Sequence, residues 1–509
     1  MTTPEAGADG AGAPTAAEAA SAERRLHPMS WLFVLLQQLR QFIVPLIALL
    51  VFGRGDRNEL WSLLAVGVLV VLSLWQYFTY RYGTTGDSLV VRSGLLERSL
   101  RVIPFARIHN VALRQSALHR LFGVAEVRLE SAGGAKPEAE MRVLKMADAL
   151  ALEALVRRRG SVEAAASAEP AETTLLTMSV GDVVRLGVVN NRGMFVVGAG
   201  VAAFMPYSRE VFPNDIMPRE VGQFVMSLFG WTHNHHFGPL QYVLGALLLI
   251  GAVLAAVRLL SVLLALLQYY GFRLSEHGRR LTVERGLLAR WRTSASRRRI
   301  QAWTLREGVL HRLLRRRSLE IETAVGETQD QERALRELAP IATPAACEAL
   351  IEHLLPRAGW RGLDWRALPL ASWWRLFVPG LPWLAIITAA LCWRFGAWGL
   401  LALAWLPWAA FKARQRARRI GYAVNEELVA VREGWWSRHW RFAEIDKLQA
   451  LQLSRSPVDR RCGTATLWLD TAGAGALAPP LRIRFLPVTE AEALYRRLSA
   501  MLAARKLRW

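Results

Sequence analysis

Six membrane-spanning α-helices in three hairpins, alternating with three cytoplasmic β-rich domains that each end in a helix, are the fold class the sequence predicts. Three observations predict it. First, the 509-residue chain is 52% hydrophobic with a mean hydropathy of +0.19, yet 64 Lys and Arg against 42 Asp and Glu give a formal charge of +22. Apolar and strongly basic together mark a membrane protein with basic soluble parts. The other basic class, nucleic-acid binders, does not account for long uncharged apolar runs, so no nucleic-acid partner is expected. Second, the apolar runs come in pairs. Third, the stretches between the pairs repeat one another.

Residues 1–22 are rich in Ala, Gly, Glu and Pro and read as a disordered tail. No short apolar core with a cleavage site precedes the first long run, so no removed signal peptide is expected. Hairpin 1 (23–80) contains spans at 31–52 and 60–80, each near the ~20 residues that cross ~30 Å of hydrocarbon. Hairpin 2 (183–268) has one span at about 184–205, interrupted by Asn190, Asn191 and Arg192, and a second at about 239–267 that contains Arg258; an outer loop, 208–238, joins them. Hairpin 3 (372–411) pairs 373–393 with 396–411 around a tight turn at Arg394. The three links carry little net positive charge, whereas Arg24, Arg25, Arg81, Arg273 and KARQRARR at 412–419 flank the opposite ends. The bias of Lys and Arg to the cytoplasmic side therefore places both termini and the three domains in the cytoplasm of a bacterial cell (inner) membrane protein.

Within the intervening domains, 81–159, 269–355 and 412–509, the stretches from the Gly turn to the strand after the short helical turn align without gaps. Residues 192 and 340 positions apart correspond: the turn glycines Gly94, Gly286 and Gly434, then Arg107–Ile108, Arg299–Ile300 and Lys447–Leu448. The later strands keep the same offsets, Val127 and Leu129 with Leu319 and Ile321 and with Leu467 and Leu469. Agreement over more than ~30 positions in three copies is an internal triplication. Stretches 160–182 and 356–371 read as linkers. Each copy reads as a strand, a Gly turn, two more strands, a short helical turn and further strands. LRIRF (481–485) alternates with period two. A helix closes each copy, with Asp148, Thr343 followed by Pro344, and a Thr489/Glu492 capping box as start signals.

On the Gly turn (Gly94, Gly286, Gly434) and the basic–aliphatic motif (Arg107–Ile108–His109, Arg299–Ile300–Gln301, Lys447–Leu448–Gln449), set after paired spans and repeated, the chain resembles the bacterial pleckstrin-homology-like (PH-like) membrane proteins, the long members with three such domains. The resemblance covers nearly all of the chain after Ala22. It implies a seven-strand, two-sheet β-sandwich or partial barrel with a helix capping one open end. It implies no enzyme activity and no cofactor, and a role in envelope homeostasis or stress tolerance. Two departures stand out: the third copy has Lys-Leu for Arg-Ile, and the second has Arg315 where the others have Gly123 and Gly463.

The arginines carry the strongest chemical signal. Arg290, Arg292, Arg297, Arg298, Arg299, Arg315, Arg316 and Arg317 crowd the second copy. A cation beside an anionic leaflet gains ~1 kcal/mol, so these are candidate contacts to anionic lipid headgroups; a solvated basic face is the plain alternative. Asn190, Asn191, Arg192 and Arg258 form a candidate intramembrane polar patch, because polar groups in a span are costly unless paired. Trp435 and Trp436 at the third Gly turn are candidates to dip into the interface. The loop sequence HNHH (233–236) has no companion ligands, and Cys347, Cys392 and Cys462 are far apart, so neither a metal site nor a disulfide framework is expected. No nucleophile–base constellation or phosphate loop is present, and no catalytic or cofactor-binding residue is assigned. The reading is a non-enzymatic membrane-surface scaffold that engages lipid or a protein partner in the membrane; a transporter with a polar path between the spans is the alternative. Oligomeric state is not legible.

Overall fold

A computed structural model describes residues 24–25, 27–36, 67–68, 70–71, 74–75, 78–85, 88–93, 99–105, 108–131, 139–159, 172–211, 239–323, 336–471 and 480–504. Most of hairpin 1, the outer loop with its histidines, Gly94 and Arg107 lie outside these residues.

Unit 1 comprises β1 (Arg24–Arg25), β2 (Arg81–Thr85), β3 (Ser88–Ser93), β4 (Ser99–Pro104), β5 (Ile108–Gln115), α1 (Ala117–Leu121), β6 (Val124–Ser131), β7 (Ala139–Lys145) and α2 (Met146–Arg159). Unit 2 opens with β8 (Thr173–Thr177), followed by the apolar helices α3 (Val180–Val189), α4 (Arg192–Val211) and α5 (Pro239–Tyr269). It continues with β9 (Arg273–His277), β10 (Arg280–Arg285), β11 (Arg290–Ser296), β12 (Ile300–Glu307), α6 (Val309–Leu313), β13 (Arg317–Thr323), β14 (Glu337–Ala342) and α7 (Pro344–Leu354). Unit 3 opens with β15 (Arg366–Ala367), followed by α8 (Trp373–Phe377), α9 (Leu381–Phe395), a 3-10 stretch (Gly396–Ala404) and α10 (Trp405–Arg419). Then come β16 (Gly421–Val424), β17 (Leu428–Glu433), β18 (Arg438–Glu444), β19 (Leu448–Ser454), α11 (Pro457–Cys462), β20 (Thr464–Thr471), β21 (Arg482–Pro487) and α12 (Val488–Ala504).

Among the described residues each unit thus has seven strands, in a four-stranded and a three-stranded set. The first strand of each comes from before the apolar hairpin: β1 pairs with β2, β8 with β9 and β15 with β16. The hairpins are therefore insertions between strands one and two, and β8 and β15 lie in the stretches that the sequence reads as linkers.

Sheet order shows a second feature. The three-stranded set of one unit continues into the four-stranded set of the next, giving seven-stranded sheets β7-β6-β5-β11-β10-β9-β8 and β14-β13-β12-β18-β17-β16-β15. The joints are antiparallel pairs, β5 with β11 (Leu113 opposite Arg292, Ala112 opposite Thr293) and β12 with β18 (Leu305 opposite Trp440, Thr304 opposite Arg441). In the repeat numbering these are the same register. Burial follows it: Val111, Ala112, Leu113, Trp303, Thr304 and Leu305 are all buried. The closing helices bury Ala149, Leu152 and Val156, then Cys347, Leu350, Ile351 and Leu354, then Ala491, Leu494 and Leu498, the spacing of an amphipathic helix on an open sandwich end. Thr343 caps α7 by accepting from the Ala346 amide at 3.2 Å. The other two starts differ from the sequence reading. α2 begins at Met146 and α12 at Val488, so Asp148 and Thr489 lie inside the first turn rather than at the cap.

Among the described residues two helical segments are long and apolar enough to cross a membrane, Val243–Tyr269 and Leu370–Arg419, with a shorter apolar helix at Arg192–Ala202. The second doubles back at Gly396 (φ +60), and α9 packs against the 3-10 stretch so closely that a Cβ on Gly399 would meet the Cys392 amide nitrogen at 2.3 Å. Rising ~2.0 rather than ~1.5 Å per residue, that stretch makes the leg at 396–411 about 28 rather than about 24 Å long. The first leg of hairpin 2 is not one helix, as the sequence implies, but α3 and α4 separated at the extended residue Asn190.

The turn glycines tie sheet to hairpin. Gly286 (φ +115) donates its amide to the Tyr270 carbonyl at 2.9 Å, and Leu287 donates to Leu267 at 3.0 Å. The β-turn thus satisfies carbonyls left open at the end of α5. A Cβ on Gly286 would lie 1.9 Å from the Ala289 carbonyl oxygen, and one on Gly434 (φ +86) 1.9 Å from that of Ser437. Gly286→Ala is expected to destabilise the full-length protein by about 1–3 kcal/mol, read as a lowered unfolding midpoint in detergent; an unchanged midpoint would remove the turn from this role.

Candidate functional site

The sequence-selected arginines separate into two groups. Arg292 pairs with Glu284 at 3.2 Å, Arg297 with Glu276 at 2.7 Å and Arg316 with Asp182 of α3 at 3.2 Å. Arg317 meets Glu348 at 2.8 Å and Glu307 at 3.4 Å. Arg299 is half-buried ahead of buried Ile300. These side chains hold the unit together. Arg290, Arg298 and Arg315 are exposed. Arg315 has φ +51, the left-handed conformation that Gly123 and Gly463 supply in the other copies at φ +64. A side chain there is strained by ~1 kcal/mol or more.

Of the four patch residues the structure brings Arg258 together with Asn191 and the Asn190 backbone, and not with Arg192. Arg258 of α5 donates one guanidinium nitrogen to the Asn191 Oδ1 at 2.8 Å and to the carbonyls of Val188 and Asn190 at 3.1 and 3.3 Å. Those carbonyls are freed by the α3–α4 break, so the arginine satisfies backbone that apolar surroundings could not. Close packing makes this reach possible, since a Cβ on Gly187 or Gly193 would fall within 2.5 Å of α5 backbone.

Arg192 turns the other way. It donates to Gln268, to the Tyr269 hydroxyl at 2.6 Å and to Glu337 of β14 at 3.2 Å. Glu337 also accepts from Tyr269 and, at 3.1 Å, from the buried Arg285 of β10. The guanidinium groups of Arg192 and Arg285 lie 5.1 and 4.8 Å from the Tyr269 ring centre. One carboxylate thus locks the apolar hairpin onto both sheets of unit 2.

Between the patch and the β12–β18 joint lies a cleft of about 550 Å³ lined by Asn191, Arg258, Arg306, His311, Glu320 and Trp436 among others. Burial raises the Glu320 carboxyl above its usual range against the pull of Arg306 and Arg336, and burial lowers His311. At neutral pH its imidazole is uncharged, so the fixed cations at the cleft are arginines. Among the described residues no group of three His, Cys, Asp or Glu is placed to hold a metal ion.

Unit 3 has its own lock. Arg375 of α8 meets Asp459 of α11 at 2.5 Å and Thr464 at 2.8 Å, both charged side chains being nearly inaccessible. Burial would raise the Asp459 carboxyl, but hydrogen bonds from Ser456, Arg375 and Thr464 outweigh it and hold the pKa at about 2. At the Gly434 turn, Trp435 and Trp436 pack edge-on to Trp408 and Phe411 of α10, with centroids 5.4–6.4 Å apart. They are anchors of the turn onto the apolar helix.

Sequence reasoning missed Glu337, Tyr269, Arg285, Asp459 and Arg375. Their partners lie tens to more than a hundred residues away, and only an acid in an otherwise apolar strand, ELAPIA at 337–342, offered a signal.

A match to the bacterial PH domain covers residues 33–160, 230–355 and 376–502, well over half of the chain. The chain belongs to the bacterial PH domain family. The three matches coincide with the three repeats, and each includes apolar hairpin residues as well as sheet. Across its length the chain is similar to the UPF0699 transmembrane protein YdbT of Bacillus subtilis (strain 168), 20% identical over 461 residues that cover 86% of this chain and 90% of that protein. No solved structure matches. The chain is thus a transmembrane protein with repeated bacterial PH domains.

Asp459→Asn leaves the Arg375 charge buried without its partner and is expected to cost about 3 kcal/mol at neutral pH. The wild-type Asp459 carboxyl is depressed in the folded state, so its contribution, about 2 kcal/mol, is present above pH ~4 and is lost as pH falls through its pKa. The difference between wild type and variant should therefore shrink toward pH 2; a constant difference across that range would contradict the assignment.

Proposed function

We propose that the chain is a non-enzymatic scaffold of the bacterial inner membrane. Six spans in three hairpins hold three PH-like units as one row against the cytoplasmic leaflet, where they engage anionic lipid headgroups and partner proteins of the envelope stress response. The observation that carries this reading is the double attachment of sheet to hairpin: the Gly286 turn on α5 and Glu337 between Arg192 and Arg285. A unit fixed at two points beneath its hairpin presents its surface to the bilayer at constant height. Polar side chains between the helices support this role, because Arg258 is engaged by the helix break rather than aligned along a path.

Arg290 and Arg315 are the cations this reading assigns to lipid, exposed where their neighbours are engaged internally, whereas Arg298, also exposed, lies at the far end of β11 beside the Arg279–Arg280 turn and is not assigned to it. The strain at Arg315 favours it: glycine would sit there more comfortably, and a residue kept in a strained conformation points to function. In nanodiscs of mixed neutral and anionic phospholipid, the wild-type protein should retain anionic lipid through native mass analysis, and the double Gln variant of Arg290 and Arg315 should retain several-fold less. Equal retention would reject the lipid contact. Arg315→Gly alone should raise the unfolding midpoint while lowering lipid retention; a fall in both would make Arg315 structural.

A further inference from the structure

The row of units has two unlike ends. In both internal joints a strand of the β5 type pairs with a strand of the β11 type from the following unit, in one register. In both, an arginine of the preceding unit's short helix also donates to a carbonyl of the following unit's Gly turn: Arg120 to Leu287 at 2.8 Å and Arg312 to Trp436 at 3.1 Å. These are corresponding residues, 192 positions apart. Unit 3 has the donor half of such a joint. β19 is the counterpart of β5 and β12 but, among the described residues, ends its sheet, and Arg460 is the counterpart of Arg120 and Arg312. Exposure marks the difference: Trp303, Thr304 and Leu305 are buried in β12, whereas Leu451 and Leu453 are half-buried and Gln452 exposed in β19. Unit 1 has the other half, since β4 is the counterpart of β11 and β18 and, among the described residues, ends its own sheet.

We propose that these ends join, so that β19 of one chain pairs with β4 of a second copy and the row continues from molecule to molecule. Charge supports that occupant. At the β12–β18 joint Arg441 binds Glu322 bidentately, both bonds 2.7 Å. Their counterparts at the two ends are Arg101 and Asp470, both exposed and opposite in sign. The internal register, carried over, sets Leu453 opposite Leu100, Gln452 opposite Arg101 and Ser454 opposite Ser99. The contact is heterologous, one end against the other, which gives a ring where the rotation closes and a row where it does not. It rests on strand register and charge, not on the lipid contact, and stands or falls separately.

The test uses full-length protein in lipid nanoparticles. In a Cys462→Ser background, Ser454→Cys and Ser99→Cys are made in separate chains, co-expressed and oxidised. The disulfide-linked dimer is expected when both are present and not with either alone. Cross-linking of Ser454→Cys by itself would show like ends meeting and overturn the proposal. Mass measurement of the wild type should give multiples of 56.9 kDa; a single chain at all concentrations, with no cross-link, overturns it as well. Asp470→Arg should weaken self-association about tenfold or more through like-charge contact, and adding Arg101→Asp to that chain should restore it. Failure of the double variant to recover, with its hydrogen-exchange pattern intact, would remove the charge pair from the joint.

Discussion

The structure depends on strand pairing between units. A three-stranded set has a buried apolar face and an open backbone edge, and an open edge is a liability unless it is short, charged or covered. Here the next unit covers it. Each ladder hydrogen bond gained at a joint is worth ~0.5–1.5 kcal/mol net, and the side chains on either side of it pass from exposed to buried. The Trp303 and Phe442 rings, stacked with centroids 6.1 Å apart, belong to different units. Buried Leu428, Ala430 and Phe442 of unit 3 share a core with unit 2. The units are therefore segments of a continuous body, and a unit cut out alone would expose the edges and the apolar side chains that its neighbours now hide.

Once the sheets are continuous, the placement of the hairpins is constrained. Each is inserted between the first and second strands, so both of its ends leave from one side of the sandwich. The Gly turn reaches back to the end of the preceding helix in unit 2 through backbone bonds and in unit 3 through tryptophans. Ion pairs complete the attachment, the half-buried Arg192–Glu337 pair joined by buried Arg285 in unit 2 and the buried Arg375–Asp459 pair in unit 3. Such pairs are weak sources of net stability because desolvation opposes them. Their effect is to fix one orientation of helix against sheet.

Much of this organisation was legible in the sequence, for identifiable reasons. Triplication showed because the offsets 192 and 340 run from the Gly turn through the short helix to the strand after it without a gap, and Gly286 and Gly434 stood out because their turns admit no Cβ. The Asn190–Arg258 patch was legible because polar residues are rare in apolar runs. Strand sharing was not, since a joint strand and an edge strand have the same alternation and differ only in what lies beside them. β15 is two residues long, too short for any periodic signal. Within the arginine cluster, composition could not separate Arg317, facing Glu348 and Glu307, from Arg315, facing solvent; that distinction exists only after folding brings the acids of β12 and α7 alongside.

Hydrogen exchange of the full-length protein in nanodiscs tests the continuous body most directly. If units share sheets, the amides of β11 and β18 exchange as slowly as those of β10 and β17, the strands inside the same sheets. Rapid exchange along β11 and β18, like that of a solvent-facing edge, would mean three separate sandwiches and would contradict the account.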